Sequence, residues 1–296
     1  QRKTADIILK FAEKTPIRNV GDLFENPGVS LSMEIKDRDV YNRYQKLLDR
    51  LIDYNDHLNS LVYVCKAIGG DVSLTQASGG NASVKISEDI AIIKSSGYEL
   101  NKVNRRNGLT RYNPSNIREY LSENIAKNDV ELRGFDEALF KKLTSNKSRA
   151  SMESGFHSCL STYVIHTHPI YVNVLLCLKD AKDVIYKVFG NNFGHFLDFH
   201  RPGFEISKNV MMIDKKTGVF WLKNHGIIVS CLSASDCLSI TRDINNMAYA
   251  YIKDQIGDIV PFEDWYDNPE HNTKNFLIPD AVVFDEKPDL TTAQAS

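Results

Sequence analysis

The run Tyr163-Val164-Ile165-His166-Thr167-His168-Pro169 constrains this chain more than any other stretch. Its β-branched residues favour a strand, and the proline favours the strand's end. Along a strand, residues two apart share a face. His166 and His168 can therefore present two imidazoles side by side. Neutral imidazole is a common ligand for zinc and other borderline transition metals. Taken alone, the pair also reads as two unrelated histidines at a strand end. A metal site needs a third ligand, a base and a pocket from elsewhere in the chain.

The whole chain narrows what that site can serve. Its 296 residues are 42% hydrophobic and 25% charged, with a net charge of −2, as in an ordinary soluble globular protein of one large domain or two small ones. The balanced charge gives no electrostatic reason to expect nucleic acid or a membrane surface as partner. No apolar run approaches the roughly 20 residues of a membrane span. No basic segment followed by an apolar one marks the N-terminus as a secretory signal. An initiator Met is missing, which fits a processed product or a piece of something longer. Cys65, Cys159, Cys177, Cys231 and Cys237 form no C-x-x-C, and their odd number suits a reducing, cytoplasmic compartment.

Along the chain, residues 1–38 read as an N-terminal extension or linker, with one short helix over 4–14 (TADIILKFAEK). Apolar residues at three- and four-residue spacing over 39–67 predict one or two amphipathic helices, ended by Gly69-Gly70. The segments GGNASVK and IAIIK predict a hairpin with polar turns at a rim. Helical stretches are expected near 116–127 and 134–143. Ser151 is a plausible N-cap for a helix reaching Ser161. Further helices are expected over 170–177 and 180–188, and a Pro-Gly turn within 199–204. Strands are expected at 218–222 and 227–231, and a long helix from Ser235 to about Ile256. Residues 258–296 read as an irregular C-terminal tail, packing on the domain over 39–257 or on a neighbouring subunit. Strict β-α-β alternation and a dinucleotide glycine fingerprint are both missing. The class is therefore α/β, with a mainly antiparallel sheet covered by helices.

His225, in LKNHGIIVS, is the natural third ligand, because a glycine follows it in a strand-turn-strand element where backbones can approach closely. Three nitrogens with an open position are the catalytic rather than the structural form of a zinc site. Glu153 precedes the histidine pair by one helix and is the candidate base. The alternative for it is a capping glutamate at a helix start. Gly80-Asn81 and Ser96-Gly97 lie in turns whose N–H groups and side chains can hold a phosphate or polyol oxygens, or can be ordinary turns.

Over residues 61–251 the ordered segments GGNASVK, IIKSSG, SMESGFH, VIHTHP and LKNHGIIVS resemble the class II aldolase/adducin family. Its members include fuculose-phosphate and rhamnulose-phosphate aldolases and ribulose-phosphate 4-epimerase. The likeness is greatest to longer aldolase modules with a GGGNTSVK-type turn and a late PGF turn, here Pro202-Gly203-Phe204, and it includes the tail segment FLIPDAVVF. The resemblance implies a three-layer α/β/α fold and a homotetramer or other homo-oligomer. It places zinc, or another divalent transition metal, on His166, His168 and His225, with Glu153 as catalytic acid/base. Gly80, Asn81, Ser96, Gly97 and Ser151 take the substrate- or phosphate-binding positions. The implied reaction is reversible aldol cleavage of a ketose or ketose phosphate through an enediolate held on the metal. The same site would serve a sugar-phosphate 4-epimerase or a β-keto sugar-acid decarboxylase. The adducin branch, a binding module, loses the ligands that are kept here. Many phosphate-specific members carry Ser-Ser before the glutamate, and this chain has Ser151-Met152, one phosphate donor fewer. His157 matches a histidine common on that helix, with a structural role. The 262–266 segment FEDWY is a candidate to complete a neighbouring subunit's site, and the chain also fits a module of a larger biosynthetic protein.

Overall fold

The structure, a computed structural model, describes residues 38–124, 149–190 and 194–257. The chain divides into two compact units, Gln1–His57 and Leu58–Ser296. Of the first, the described part is the opening of helix α1 (Arg38–Gly69), which runs through the boundary. The periodicity over 39–67 thus produces a single helix, stopped at the Gly69-Gly70 pair. The expectations for 4–14, 134–143, 262–266 and 276–284 lie outside the described residues.

The described residues of the second unit contain seven strands: β1 (Asn81–Ser87), β2 (Ile90–Lys94), β3 (Leu109–Tyr112), β4 (Tyr163–Thr167), β5 (His195–Leu197), β6 (Gly218–Leu222) and β7 (Gly226–Cys231). They form one sheet in the order β3-β2-β1-β4-β7-β6-β5. Every pairing is antiparallel except β5 with β6. The histidine strand β4 is central, with Asn81 opposite His166 on one side and Ile228 opposite it on the other.

Among the described residues six further α-helices cover the sheet: α2 (Pro114–Glu123), α3 (Ser154–Cys159), α4 (Ile170–Leu176), α5 (Ala181–Phe189), α6 (Phe204–Met211) and α7 (Ala234–Ile256). On one face, Ile93, Val164, Phe220 and Ile228 join Leu121, Phe156, Phe204 and Val210 of α2, α3 and α6 in a single buried core. Burying each such side chain contributes roughly 1.5–3 kcal/mol. Trp221, next to Phe220 and so on the other face, meets Phe189 of α5 with ring centroids 4.6 Å apart. There α7 packs on β4 and β7 and against α4 and α5. The result is the expected three-layer α/β/α arrangement with a mainly antiparallel sheet.

Several elements differ from the sequence reading. The helix expected to open at Ser151 opens at Ser154, and Glu153 stands at its N-cap position without a side-chain cap bond. The Ser151 hydroxyl instead accepts from the Glu153 backbone N–H at 3.3 Å. The α2 helix starts earlier than expected, because Asn113 caps it by accepting from the Asn116 N–H and Pro114 supplies its first turn. Strands β3 and β5 and helix α6 had no counterpart in the reading. The short helix α3 is held at its C-terminal end by two cations. Lys85 Nζ donates to the carbonyls of Ser158 (3.1 Å) and Leu160 (2.5 Å), and Arg118 donates to Ser158 at 3.0 Å. Positive groups on unpaired terminal carbonyls suit the helix dipole.

Candidate metal centre

Three separate segments bring the site together. The exit of β4 supplies His166 and His168, the β6–β7 turn supplies His225, and the residue before α3 supplies Glu153. The turn is tight. Asn224 takes a left-handed backbone (φ 56°), and the His225 N–H donates to the Leu222 carbonyl at 3.1 Å. Neighbouring carbonyls pin it further, Lys223 N–H donating to Leu197 and Asn224 N–H to Leu176. Gly226 follows because nothing larger fits: a Cβ there would lie 2.3 Å from the Thr167 carbonyl oxygen and 2.9 Å from the His168 ring.

All three imidazoles are buried, and each offers one ligand nitrogen within 4.8 Å of the others. Nε2 of His168 and Nε2 of His166 are 3.0 Å apart. Two nitrogens bound to one tetrahedral zinc ion at about 2.0–2.1 Å would sit about 3.3–3.4 Å apart, and the observed spacings bracket that value. The tautomer of His166 fits too. Its Nδ1 lies 2.9 Å from the Ile227 carbonyl, which can only accept, so Nδ1 carries the proton and Nε2 keeps its lone pair. His225 is held well below the ordinary histidine range, chiefly by burial and then by the neighbouring His166 and His168. A neutral imidazole is the form that binds metal.

Glu153 Oε1 lies 3.5 Å from His166 Nε2 and 3.5 Å from His225 Nε2. Its other oxygen, Oε2, accepts from Asn81 Nδ2 at 2.5 Å. Asn81 Oδ1 in turn meets His157 Nε2, and His157 Nδ1 lies 2.6 Å from the Ser83 hydroxyl. His157, wholly buried, is also held well below the ordinary histidine range, first by burial and then by His166 and Lys85.

The remaining sequence-predicted residues fall around this group. Gly80, with φ +68°, backs onto β4, where a Cβ would come within 2.9 Å of the His166 carbonyl oxygen. Asn81, expected to face substrate, is buried and has both ends of its amide engaged by Glu153, Ser151 and His157. Ser151 Oγ lies 3.4 Å from that amide. Ser96 and Gly97 are exposed on a neighbouring turn, joined to the segment just before Ser151 through the Ser95–Ala150 bridge and the Ser96 N–H to Arg149 carbonyl bond. Met152 turns away and packs on the core of α2, α3 and α6. His195 stacks on Phe220, outside the site. What the sequence reading passed over is the row behind Glu153. Its one signal was His157 four residues after Glu153, on the same face of the helix.

A central strand delivering two histidines, a turn delivering a third and a carboxylate between them form a cluster that could hold a metal ion, in a protein of three-layer α/β/α build. Residues 59–252 match the family described as Class II Aldolase and Adducin N-terminal domain. The chain therefore belongs to the class II aldolase and adducin N-terminal domain family. The N-terminal class II aldolase domain of a conserved protein from Thermoplasma acidophilum shares the fold at 24% identity and a TM-score of 0.57, covering 66% of this chain and 93% of that one. YgbL from Klebsiella pneumoniae does so at 15% identity and a TM-score of 0.50, with 69% and 92% covered. A Bacillus subtilis (strain 168) protein named "Uncharacterized oxidoreductase YuxG" is 24% identical over 234 residues. That match covers 74% of this chain, and the chain spans about a third (33%) of the length of that curated relative.

Proposed function

We propose that this chain is a divalent-metal-dependent lyase that reversibly cleaves a ketose, or a ketose phosphate, by an aldol reaction. The observation that carries the reading is Glu153 Oε1 at 3.5 Å from both His166 Nε2 and His225 Nε2. A proton-transfer group at the edge of three converging imidazoles is what aldol chemistry needs. His166, His168 and His225 would hold the ion, and zinc suits a three-nitrogen set with an open position. When bound, the ion supplies a Lewis acid that polarises a carbonyl and stabilises negative charge. Glu153 gives a proton to the substrate carbon in cleavage and takes it back in synthesis. Ser96, Gly97 and Ser151 would bind substrate oxygens. With Met152 packed against the core, position 152 adds no hydroxyl, so a free ketose and a phosphorylated one both belong in the assay. The reading places the work in the cytoplasm, in a homo-oligomer, with residues 39–257 as the catalytic domain. No helix among the described residues is long and apolar enough to cross a membrane.

The test has two parts. Elemental analysis of purified protein should find one divalent metal per chain, and His166→Ala should lose it. Ketoses and ketose 1-phosphates should release an aldehyde, and Glu153→Gln should lower that rate by about 10²- to 10⁴-fold with the metal retained. A new diastereomer without aldehyde would move the reading to 4-epimerisation, and carbon dioxide from a β-keto sugar acid would move it to decarboxylation. Protein that carries no metal, with full function in His166→Ala, would leave an adducin-like binding module.

A further inference from the structure

The row behind Glu153 can be read proton by proton. An ionised carboxylate only accepts, so the group facing Oε2 is the Asn81 NH₂, donating at 2.5 Å. The other end of the Asn81 amide is then its carbonyl oxygen, which only accepts, so His157 Nε2 carries the proton that faces it. In the neutral ring that leaves Nδ1 bare, and it accepts from the Ser83 hydroxyl at 2.6 Å. Each donor is decided by the acceptor before it, starting from the carboxylate. Asn81, Ser83 and His157 are all at most 3% exposed. Asn81 and Ser83 project from one face of β1, and His157 from one turn beyond Glu153 on α3, so two rigid elements fix the row.

We propose that His157 and Asn81 are positioning residues that set the orientation of the Glu153 carboxylate, pinning Oε2 so that Oε1 faces the imidazole nitrogens. The inference rests on the reading of Glu153 as the proton-transfer group beside a bound ion. Without the Asn81 donor, the carboxylate can rotate about its own bond, and both oxygens compete for the histidine side. With Asn81 present but His157 unable to donate, the amide loses the contact that anchors its carbonyl end, and its NH₂ is held less firmly on Oε2. The competing explanation is packing, since the His157 ring stacks on Phe156 with centroids 4.7 Å apart and planes 23° apart.

Two substitutions separate these explanations because they rank in opposite order. His157→Phe keeps the ring and its stack but removes the proton. His157→Gln removes the ring but keeps an N–H that reaches about where Nε2 stood. Cobalt(II) is loaded as a spectroscopic probe into the full chain and into Glu153→Gln, Asn81→Asp, His157→Phe and His157→Gln, and visible absorption is recorded. Solvent deuterium uptake into dihydroxyacetone and dihydroxyacetone phosphate is followed by proton NMR. The expected result is one cobalt per chain throughout. Asn81→Asp and His157→Phe should shift the cobalt bands and slow exchange by about 10- to 100-fold, as second-shell losses do, with KM within about twofold. His157→Gln should restore the wild-type spectrum and most of the rate. A His157→Phe protein equal to or better than His157→Gln overturns the proposal in favour of packing. If the His157 variants do not fold, Asn81→Asp decides: a wild-type spectrum and rate there also overturn it. Wild-type protein that takes up cobalt but exchanges neither probe counts against the lyase reading, and the spectra then decide the positioning role by themselves. Wild-type protein that takes up no cobalt overturns both.

Discussion

At the scale of single residues, the site is governed by what burial does to imidazole. His225 and His157 are both held below the ordinary histidine range, with burial the largest cause in each. The unfolded chain titrates its histidines near about 6.5. Below that pH the unfolded state takes up protons that the folded state refuses. Stability from this source is therefore full above the unfolded value and is lost as pH falls. The loss is about 1.4 kcal/mol per histidine for each pH unit. Urea unfolding of metal-free protein should give a midpoint that drops steadily between about pH 7 and pH 5, more gently in His157→Phe than in wild type. A level midpoint would mean that the buried rings take up protons in the fold as readily as in the unfolded chain. The three histidines and Glu153 could be singled out in the sequence because each sits in a distinctive local string. The hydrogen-bond partners of Asn81 could not. Its amide at the end of a glycine turn looks the same whether it faces a substrate or a carboxylate 72 residues away, and only the pairing of β1 with β4 decides.

At the scale of elements, the β6–β7 hairpin carries the heaviest constraint. Its turn must bring His225 to the end of β4, and Gly226 makes that approach possible. A methyl group at 226 would press on the Thr167 carbonyl at 2.3 Å, a backbone atom that cannot move aside without disturbing β4. Gly226→Ala should therefore destabilise the protein by about 1–3 kcal/mol and weaken zinc binding at least tenfold, measured by calorimetric titration of the metal-free protein. Unchanged zinc affinity would mean that the turn relaxes without moving His225. Elements with a full periodic signal, such as β6, β7 and α7, were legible from sequence. Those built by tertiary contact were not. Strand β5 is three residues long and pairs with β6 at the sheet's edge, so His195-Phe196-Leu197 has no alternation of its own to show. Strand β3, Leu109-Thr110-Arg111-Tyr112, follows a polar stretch and becomes a strand by lying against β2. Helix α6 begins at the glycine of a Pro-Gly turn, so the sequence cue for a turn hid the helix that follows it.

At the scale of the whole molecule, the proposed ion would join segments far apart in the chain. His166 and His168 leave β4, His225 arrives from the β6–β7 turn some sixty residues later (the His166–Ile227 contact spans 61), and Glu153 precedes α3. The strands concerned are central in the sheet, with β4 hydrogen-bonded to β1 and β7. An ion bound by all three histidines in the folded state alone must stabilise that state by mass action, by about 2.7 kcal/mol at a hundred times its dissociation constant. For a domain of about 150–250 residues, each kcal/mol moves the melting temperature by roughly 2–4 °C. Chelation should thus lower the melting temperature by about 5–10 °C, and added zinc should restore it. The response must vanish in His225→Ala, because the turn is then no longer tied to β4, while Glu153→Gln should keep most of it. The two variants together separate the ion's structural contribution from its chemistry. If chelation lowers the melting temperature of His225→Ala as much as that of wild type, the metal is bound somewhere other than these three histidines.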